Sequence, residues 1–412
     1  MTVNETGIAL EVLQKLVAKT LYYQGTMAPS ALSSEIKLSV SVINEILKTM
    51  QKLQLVESRG LVGDDLTSEI RYSLGGAGFA WVVEALEQSQ YVGPAPVKFE
   101  DFVLQIQKQS IANESLSSDD LVAATSHLVI PDHILEKLGP AVNSARSILL
   151  YGDPGNGKTS IAESVGKAFK SPIYFPYCFE IGGQIINFFD PTIHTPVEDT
   201  NLSKMDQRWQ LCNRPFILTG GELTLDMLDL SYNPTARFYE APVHFKATNG
   251  VFVVDDFGRQ RTDPQSVLNR WIVPLERRYD HLTLHTGKKF VVPFDQLAVF
   301  STNKEPEDLA DAAGLRRLHY KLRVPTPTPS DFKEIFINVV EQNKIQFDEG
   351  VFEEFYQSKY VASGMVLAGH HPKYLTDYIV ALCRFKGSKA VMNIEYLNQA
   401  WDNLNVSKTD TH

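Results

Sequence analysis

The chain has 412 residues with a formal net charge of −10, 43% hydrophobic and 21% charged, ordinary proportions for a soluble globular protein of about two or three domains. No apolar run approaches the ~20 residues that a bilayer-spanning helix needs, and no basic-then-apolar signal opens the chain, so a cytoplasmic protein without membrane contact is expected. The acidic balance gives no global attraction to nucleic acid, and Cys178, Cys212 and Cys383 lie too far apart for a disulfide framework or a metal knuckle.

Apolar residues at helical spacing (Ile8, Leu10, Val12, Leu13, Leu16, Val17, Leu21) predict a helix over 8–22, and shorter helical patterns follow at 29–37 and 40–53. Strand patterns at 55–62 and 70–74 flank the polar Gly63-Asp64-Asp65, and an amphipathic helix is expected over about 77–88. Three helices then two strands resemble a winged helix-turn-helix domain over residues 1–92, a fold that commonly reads DNA through its third helix. Residues 1–90 carry seven Lys or Arg against ten Asp or Glu, and the third helix offers only Lys48 and Lys52. Phosphate contacts from cationic side chains supply most non-specific affinity for DNA, so the charge favours docking to protein over DNA.

The prolines of Val92-Gly93-Pro94-Ala95-Pro96 favour an extended chain and open a linker over 93–125, which carries a helix over about 99–109. An α/β nucleotide-binding domain is expected over 126–325. Its apolar strand Ser147-Ile148-Leu149-Leu150-Tyr151 runs into Gly152-Asp153-Pro154-Gly155-Asn156-Gly157-Lys158-Thr159, which matches the phosphate-loop pattern G-x-x-x-x-G-K-[ST]. Glycines permit the tight curvature that lets backbone N–H groups wrap phosphates. The helix beginning at Lys158, with Thr159 and Ser160 in its first turn, points its N-terminal dipole at the same anion. Lys158 is expected on the β- and γ-phosphates and Thr159 on a magnesium ion.

Downstream, the buried-strand run Val251-Phe252-Val253-Val254 ends in Asp255 and Asp256, and a further apolar strand ends at Ser301-Thr302-Asn303. Carboxylates and an amide at the C-terminal edge of a parallel sheet face a ligand crevice. Asp255 is the candidate magnesium carboxylate, Asp256 the candidate base for the attacking water, and Asn303 a group that would polarise it. Gly314-Leu315-Arg316-Arg317-Leu318 then places two guanidiniums before a strand at 319–324. Helical patterns at about 330–343, 349–357, 373–386 and 391–404 predict an all-α unit over 326–405, with 406–412 expected as a disordered tail.

In this order the motifs resemble the AAA+ ATPase family over about 126–400: an α/β phosphate-loop core with a helical lid, after a winged-helix α+β domain. The resemblance implies ATP and Mg2+ as cofactors, and an ATPase reaction. It also implies Asn303 as sensor 1, Arg316 or Arg317 as an arginine finger, Val129 and Ile130 within the apolar segment at the adenine, and Lys373 where a sensor 2 cation sits. Asp256 stands where Glu is common, and a base misplaced by ~1 Å can cost ~100-fold in rate, so hydrolysis is expected to be slow.

The stretch between Lys158 and Asp255 exceeds what one strand and one helix need. A hairpin turning at Gly182-Gly183 and a helical stretch opened by Gly220-Gly221-Glu222-Leu223 are expected there, and a second hairpin about Thr286-Gly287-Lys288. Such inserts resemble the branch with MoxR-type chaperones, magnesium-chelatase motors and enhancer-binding activators, where they face a ring pore or a partner. Phe238-Tyr239 is read either as a substrate grip or as packed core. The expectation is a homo-oligomeric ring, a hexamer, that remodels a protein client or adaptor recruited by residues 1–92. The competing expectations are a DNA-binding regulator whose assembly nucleotide controls, and a weakly hydrolysing nucleotide switch.

Overall fold

The computed structural model describes residues 1–61, 69–198 and 205–405. Gly63-Asp64-Asp65 and the expected tail at 406–412 lie outside the described residues. Helices α1 (Leu10–Gln24), α2 (Pro29–Ile36) and α3 (Val40–Lys52) precede the antiparallel pair β1 (Val56–Leu61) and β2 (Ile70–Leu74), and α4 (Gly76–Gln88) follows. Pro29 suits the first turn of α2, and Lys37 ends that helix in the left-handed region at φ 59°. Leu13, Leu16 and Val17 of α1 meet Val42, Ile43, Ile46 and Leu47 of α3 in one apolar core.

The chain continues through β3 (Val97–Lys98), α5 (Phe99–Lys108), α6 (Ser118–Thr125), α7 (Asp132–Asn143), β4 (Ile148–Tyr151) and α8 (Lys158–Ala168). Next come β5 (Ile173–Pro176), β6 (Cys178–Ile181), β7 (Gln184–Asn187), β8 (Trp209–Cys212), β9 (Phe216–Thr219), β10 (Ser231–Asn233), β11 (Phe238–Glu240), α9 (Val243–Lys246) and β12 (Val251–Val254). After α10 (Pro264–Arg270) and α11 (Ile272–Arg277), β13 (Tyr279–Thr283) and β14 (Lys289–Pro293) form a hairpin. The α/β part closes with β15 (Leu297–Thr302), α12 (Ala312–Leu315) and β16 (Tyr320–Arg323).

Five of these strands make an all-parallel sheet in the order β16-β4-β15-β12-β9. Alternate residues face opposite layers: Ile148, Leu150, Val251, Val253 and Val299 pack with α6, α7 and α8 on one side. Leu149, Phe252, Val254 and Phe300 pack with α10 and α11 on the other. Burial on both faces explains why these strands read as unbroken apolar runs. This is a parallel α/β core whose first strand, β4, runs into the phosphate-loop motif, and an all-α unit follows it.

That unit comprises α13 (Pro329–Gln342), α14 (Glu349–Tyr356), α15 (His370–Phe385) and α16 (Ile394–Leu404) around Phe332, Phe336, Phe355, Tyr360 and Trp401. Thr328 and Asp331 form a reciprocal capping box at the start of α13.

The inserted segments build a mixed sheet, β10-β11-β7-β6-β3. Gly182 and Gly183, at φ 60° and 79°, make the tight turn between β6 and β7. The stretch after Gly220 differs from the helix expected there: it makes one 3-10 turn, Leu225–Leu228, and then enters β10. Burial of Leu223 and Leu228 in the core and pairing of Tyr232 with Tyr239 pull this segment into a strand.

Phe102 stacks on Phe179 at 4.8 Å, and Phe290 meets Phe99 edge-on at 5.5 Å, so the inner face of the β13–β14 hairpin (Leu282, Leu284, Phe290, Val292) is buried against this sheet and α5. Phe238 and Tyr239 take the packed alternative: Tyr239 is 1% exposed and hydrogen-bonds His285, and Phe238 lies edge-on to Tyr91 at 5.6 Å. The N-terminal helices also dock here. Arg208, itself buried, donates to the carbonyls of Thr6 (2.9 Å) and Pro96 (2.8 Å) and pairs with Asp206. Tyr91 Oη lies 3.1 Å from Cys178 Sγ, and burial pushes that thiol up to about 12.

Candidate nucleotide site

The loop from β4 to α8 takes its shape from glycine. Gly152, Gly155 and Gly157 have φ of 132°, 79° and 84°, a region that L side chains rarely adopt. Space demands glycine as well: a Cβ on Gly152 would strike the carbonyl of Val324, and one on Gly155 would strike the His370 ring. Asp153 and Pro154 sit exposed on the loop, and Ser160 lies in the first turn of α8, its carbonyl accepting from Ser164 Oγ.

Lys158 Nζ donates to the carbonyls of Gly152 (2.9 Å) and Asp153 (2.8 Å) and to Asn303 Oδ1 (2.7 Å). Burial lowers its pKa, opposed by Asp255, Asp153 and Asp256. Thr159 Oγ1 donates to Asp255 Oδ2 at 2.9 Å. Asn303 Nδ2 donates to Asp256 Oδ1 at 3.1 Å, so the amide is shared between the cation and the second carboxylate. Three strand ends, from β4, β12 and β15, therefore meet at one edge of the sheet.

Asp256 has φ 47°, a left-handed conformation that Asp tolerates better than most residues. It stands two residues after Val254, the last residue of β12, and this turn brings its carboxylate to Asn303. The bend is stitched from behind: Phe257 N donates to Ser301 O at 2.7 Å, Thr302 Oγ1 to Phe257 O at 2.7 Å, and Gln260 Nε2 to Asp255 O at 2.8 Å.

The other expected residues stand further out. Val129 and Ile130 lie half-buried in the segment before α7, with Ile130 against the core of the sheet. Arg316 is 78% exposed and 3.9 Å from Glu276, whereas Arg317 is 14% exposed, 3.3 Å from Glu276, and folded back to the carbonyl of Ala313. Lys373 is exposed on α15 and pairs with Asp377 one turn on, at 3.1 Å. It is the start of that helix that touches the phosphate loop, with His370 over Gly155 and Gly369 N donating to Asn156 Oδ1 at 3.1 Å.

Sequence reasoning missed His370, Gly369 and Gln260. Gln260 stands five residues after Asp255 and was open to inspection; His370 carried no local signal beyond a histidine pair before Pro372. The hard oxygen donors Thr159 and Asp255 suit magnesium, which keeps few protein ligands and fills its shell with water and phosphate oxygens. Among the described residues no three His, Cys, Asp or Glu side chains converge on a metal position.

The helical unit matches, over residues 328–403, a family described as a domain of unknown function (DUF8689). Over 258 residues the chain is 24% identical to a Caenorhabditis elegans protein named "Mitochondrial sorting homolog", a match covering 60% of this chain and 61% of that protein's length. Among solved structures, it is similar to NtrX from Brucella abortus in complex with ATP at 12% identity and a TM-score of 0.39, over 66% of this chain and 58% of that one. It is also similar to the Thermotoga maritima RuvB Holliday junction branch migration motor, at 13% identity and a TM-score of 0.38, over 67% and 70%.

Proposed function

We propose that this protein binds ATP with Mg2+ and hydrolyses it slowly as an AAA+ ATPase of the MoxR-like branch, working as a homo-oligomeric ring that remodels a protein client. The observation that carries the proposal is the hydrogen-bonded chain Lys158–Asn303–Asp256 beside the pair Thr159–Asp255, all at the mouth of a glycine-shaped loop. Lys158 holds phosphate oxygens in place of the carbonyls it now contacts. Thr159 and Asp255 hold the magnesium ion, which neutralises charge on the phosphates. Asp256 accepts the proton of the attacking water, and Asn303 fixes the orientation of that carboxylate.

Arg316 supports the ring. An exposed guanidinium 3.9 Å from its nearest carboxylate is poised to serve a neighbouring subunit's site, while Arg317 is spent on its own fold. Residues 1–92, read as a winged helix-turn-helix-like domain, dock on the inserted sheet through Tyr91, which meets Cys178 and Phe238, and so would move with it when the lid, residues 326–405, turns against the core. Three buried, unpaired cysteines fit a reducing compartment, in keeping with a cytoplasmic protein.

One observation favours a second reading, a switch that binds ATP and barely turns over: Asp256 is short for a base and is already engaged by Asn303. ATP hydrolysis measured against protein concentration separates the two. Cooperative growth of turnover with concentration, lost in both Lys158→Ala and Arg316→Ala, supports the ring ATPase. Tight ATP binding with no concentration-dependent turnover leaves the switch.

A further inference from the structure

Lys373 is 73% exposed and pairs with Asp377 within its own helix. The helical unit meets the phosphate loop one turn earlier, at Gly369 and His370, and the residue that receives it on the loop is Asn156.

Asn156 Oδ1 accepts from Gly369 N at 3.1 Å, and Gly369 is the N-cap of α15, a helix with no side-chain cap of its own. The first four N–H groups of a helix have no partner within it, so an acceptor supplied there stabilises the helix. Here the acceptor comes from 213 residues away, across the boundary between the α/β core and the helical unit. Asn156 Nδ2 is buried and without a partner among the described residues, so the amide is held by its oxygen alone. Position 156 is free in the pattern G-x-x-x-x-G-K-[ST], and phosphate binding by itself does not call for an amide there.

Glycines let the two backbones approach. A Cβ on Gly369 would stand 3.1 Å from Gly155 O, and one on Gly155 would strike the His370 ring. The start of α15 is in turn fixed to its own core: His371 is buried with Nδ1 3.0 Å from Tyr360 Oη, its ring lies 6.2 Å from that of Trp401, and Leu375 is fully buried. A close-packed core transmits displacement, so whatever moves the first turn of α15 moves the helical unit with it.

We infer that Asn156, with His370 against Gly155, is the joint through which the phosphate loop sets the position of the lid. Phosphate held by the loop backbone orders Asn156, and Asn156 orders the start of α15. Both are positioning residues, acting through the loop and the helix and not on the reacting atoms. The inference rests on the proposed ATP binding for its trigger, while the joint itself rests on the contacts above.

Hydrogen–deuterium exchange of the full-length protein, with and without ATP and magnesium, tests it at two places, the phosphate loop and the first turns of α15. In the wild type ATP should slow exchange at both. Asn156→Ala should raise exchange at the start of α15 about fivefold without nucleotide, the usual size of a lost helix cap. In that variant ATP should still slow the loop but no longer α15. Asn156→Asp keeps an acceptor oxygen and gives up only the unpartnered amide, and should return nucleotide-free exchange to near the wild-type rate. His370→Ala should weaken the response of α15 to ATP, and Lys373→Ala should leave that response in place. Unchanged nucleotide-free exchange in Asn156→Ala would overturn the inference, as would a response of α15 that survives Asn156→Ala and disappears in Lys373→Ala. Should Asn156→Ala lower the Tm of the whole chain, His370→Ala, at an exposed residue, carries the comparison. If ATP slows neither place in the wild type, the ATP reading fails, and the nucleotide-free rates of Asn156→Ala and Asn156→Asp still decide whether the joint exists.

Discussion

Lys158 and Asn303 are joined directly, Nζ to Oδ1 at 2.7 Å, although 145 residues separate them in the chain. The contact fixes the amide: with Oδ1 accepting from the lysine, Nδ2 must point to Asp256, which it does at 3.1 Å. One asparagine therefore sets the position of both Lys158, the candidate phosphate-binding cation, and the candidate base Asp256.

Asn303→Ala should leave ATP binding within a few-fold of wild type and lower turnover by about 100-fold, since a positioned donor at a reacting centre is commonly worth that much. Lys158→Ala should abolish binding itself. Isothermal titration with ATP beside a phosphate-release assay separates the two outcomes, and equal loss of binding in both variants would assign Asn303 to the ground state.

The two arginines before β16 should divide their roles. Arg316→Ala is expected to keep the wild-type Tm and lose concentration-dependent turnover. Arg317→Ala should lower Tm, because its side chain is mostly buried, holds Glu276 at 3.3 Å and bonds the Ala313 carbonyl. The reverse pattern in thermal melts and turnover would move the finger to Arg317.

Arg208, just ahead of β8, ties the N-terminal segment at Thr6 and the linker at Pro96 to the strand pair β5–β8, with 4% of its side chain exposed. Arg208→Ala leaves the Thr6 and Pro96 carbonyls and Asp206 without their partner, and removal of one member of a buried pair costs about 3–5 kcal/mol. Urea unfolding should show that loss, and limited proteolysis should release residues 1–92. Unchanged protection of that region would mean that the apolar contact alone holds it.

His194 predicts an acid limit. Asp190 N donates to Nδ1 at 2.9 Å and Nε2 lies 2.9 Å from the Lys246 carbonyl, which fixes a neutral tautomer with no place for a second proton. Burial lowers its pKa to about 4, below the usual 6.5. The unfolded chain then binds the proton first, so the stabilisation is full above about pH 6.5 and is lost as pH falls toward 4, in all about 3 kcal/mol. Stability curves at pH 7.5 and 4.5 should differ less in His194→Gln than in the wild type. His371, also buried and held at about 4, supplies a share that this substitution leaves in place.

The phosphate-loop motif, the strand-end carboxylates, Asn303 and the apolar strands of the parallel core were legible in local pattern. In each, a contiguous apolar run fixes a strand, and its next residues must fall at the sheet's C-terminal edge, as Asp255 and Asn303 do. Tertiary packing alone decided the rest. Which residue of α15 meets the loop depends on the docking angle of a separate helical core, so His370 reaches Gly155 and Lys373 turns to Asp377. Tyr239 reads alike as a grip or as core until His285, 46 residues on, bonds it. Arg316 and Arg317 are alike in sequence, and only packing leaves Arg316 exposed at the edge of Glu276 while it buries Arg317 against Glu276 and the Ala313 carbonyl. Contacts between distant segments follow from how whole elements pack, and no local pattern encodes that geometry.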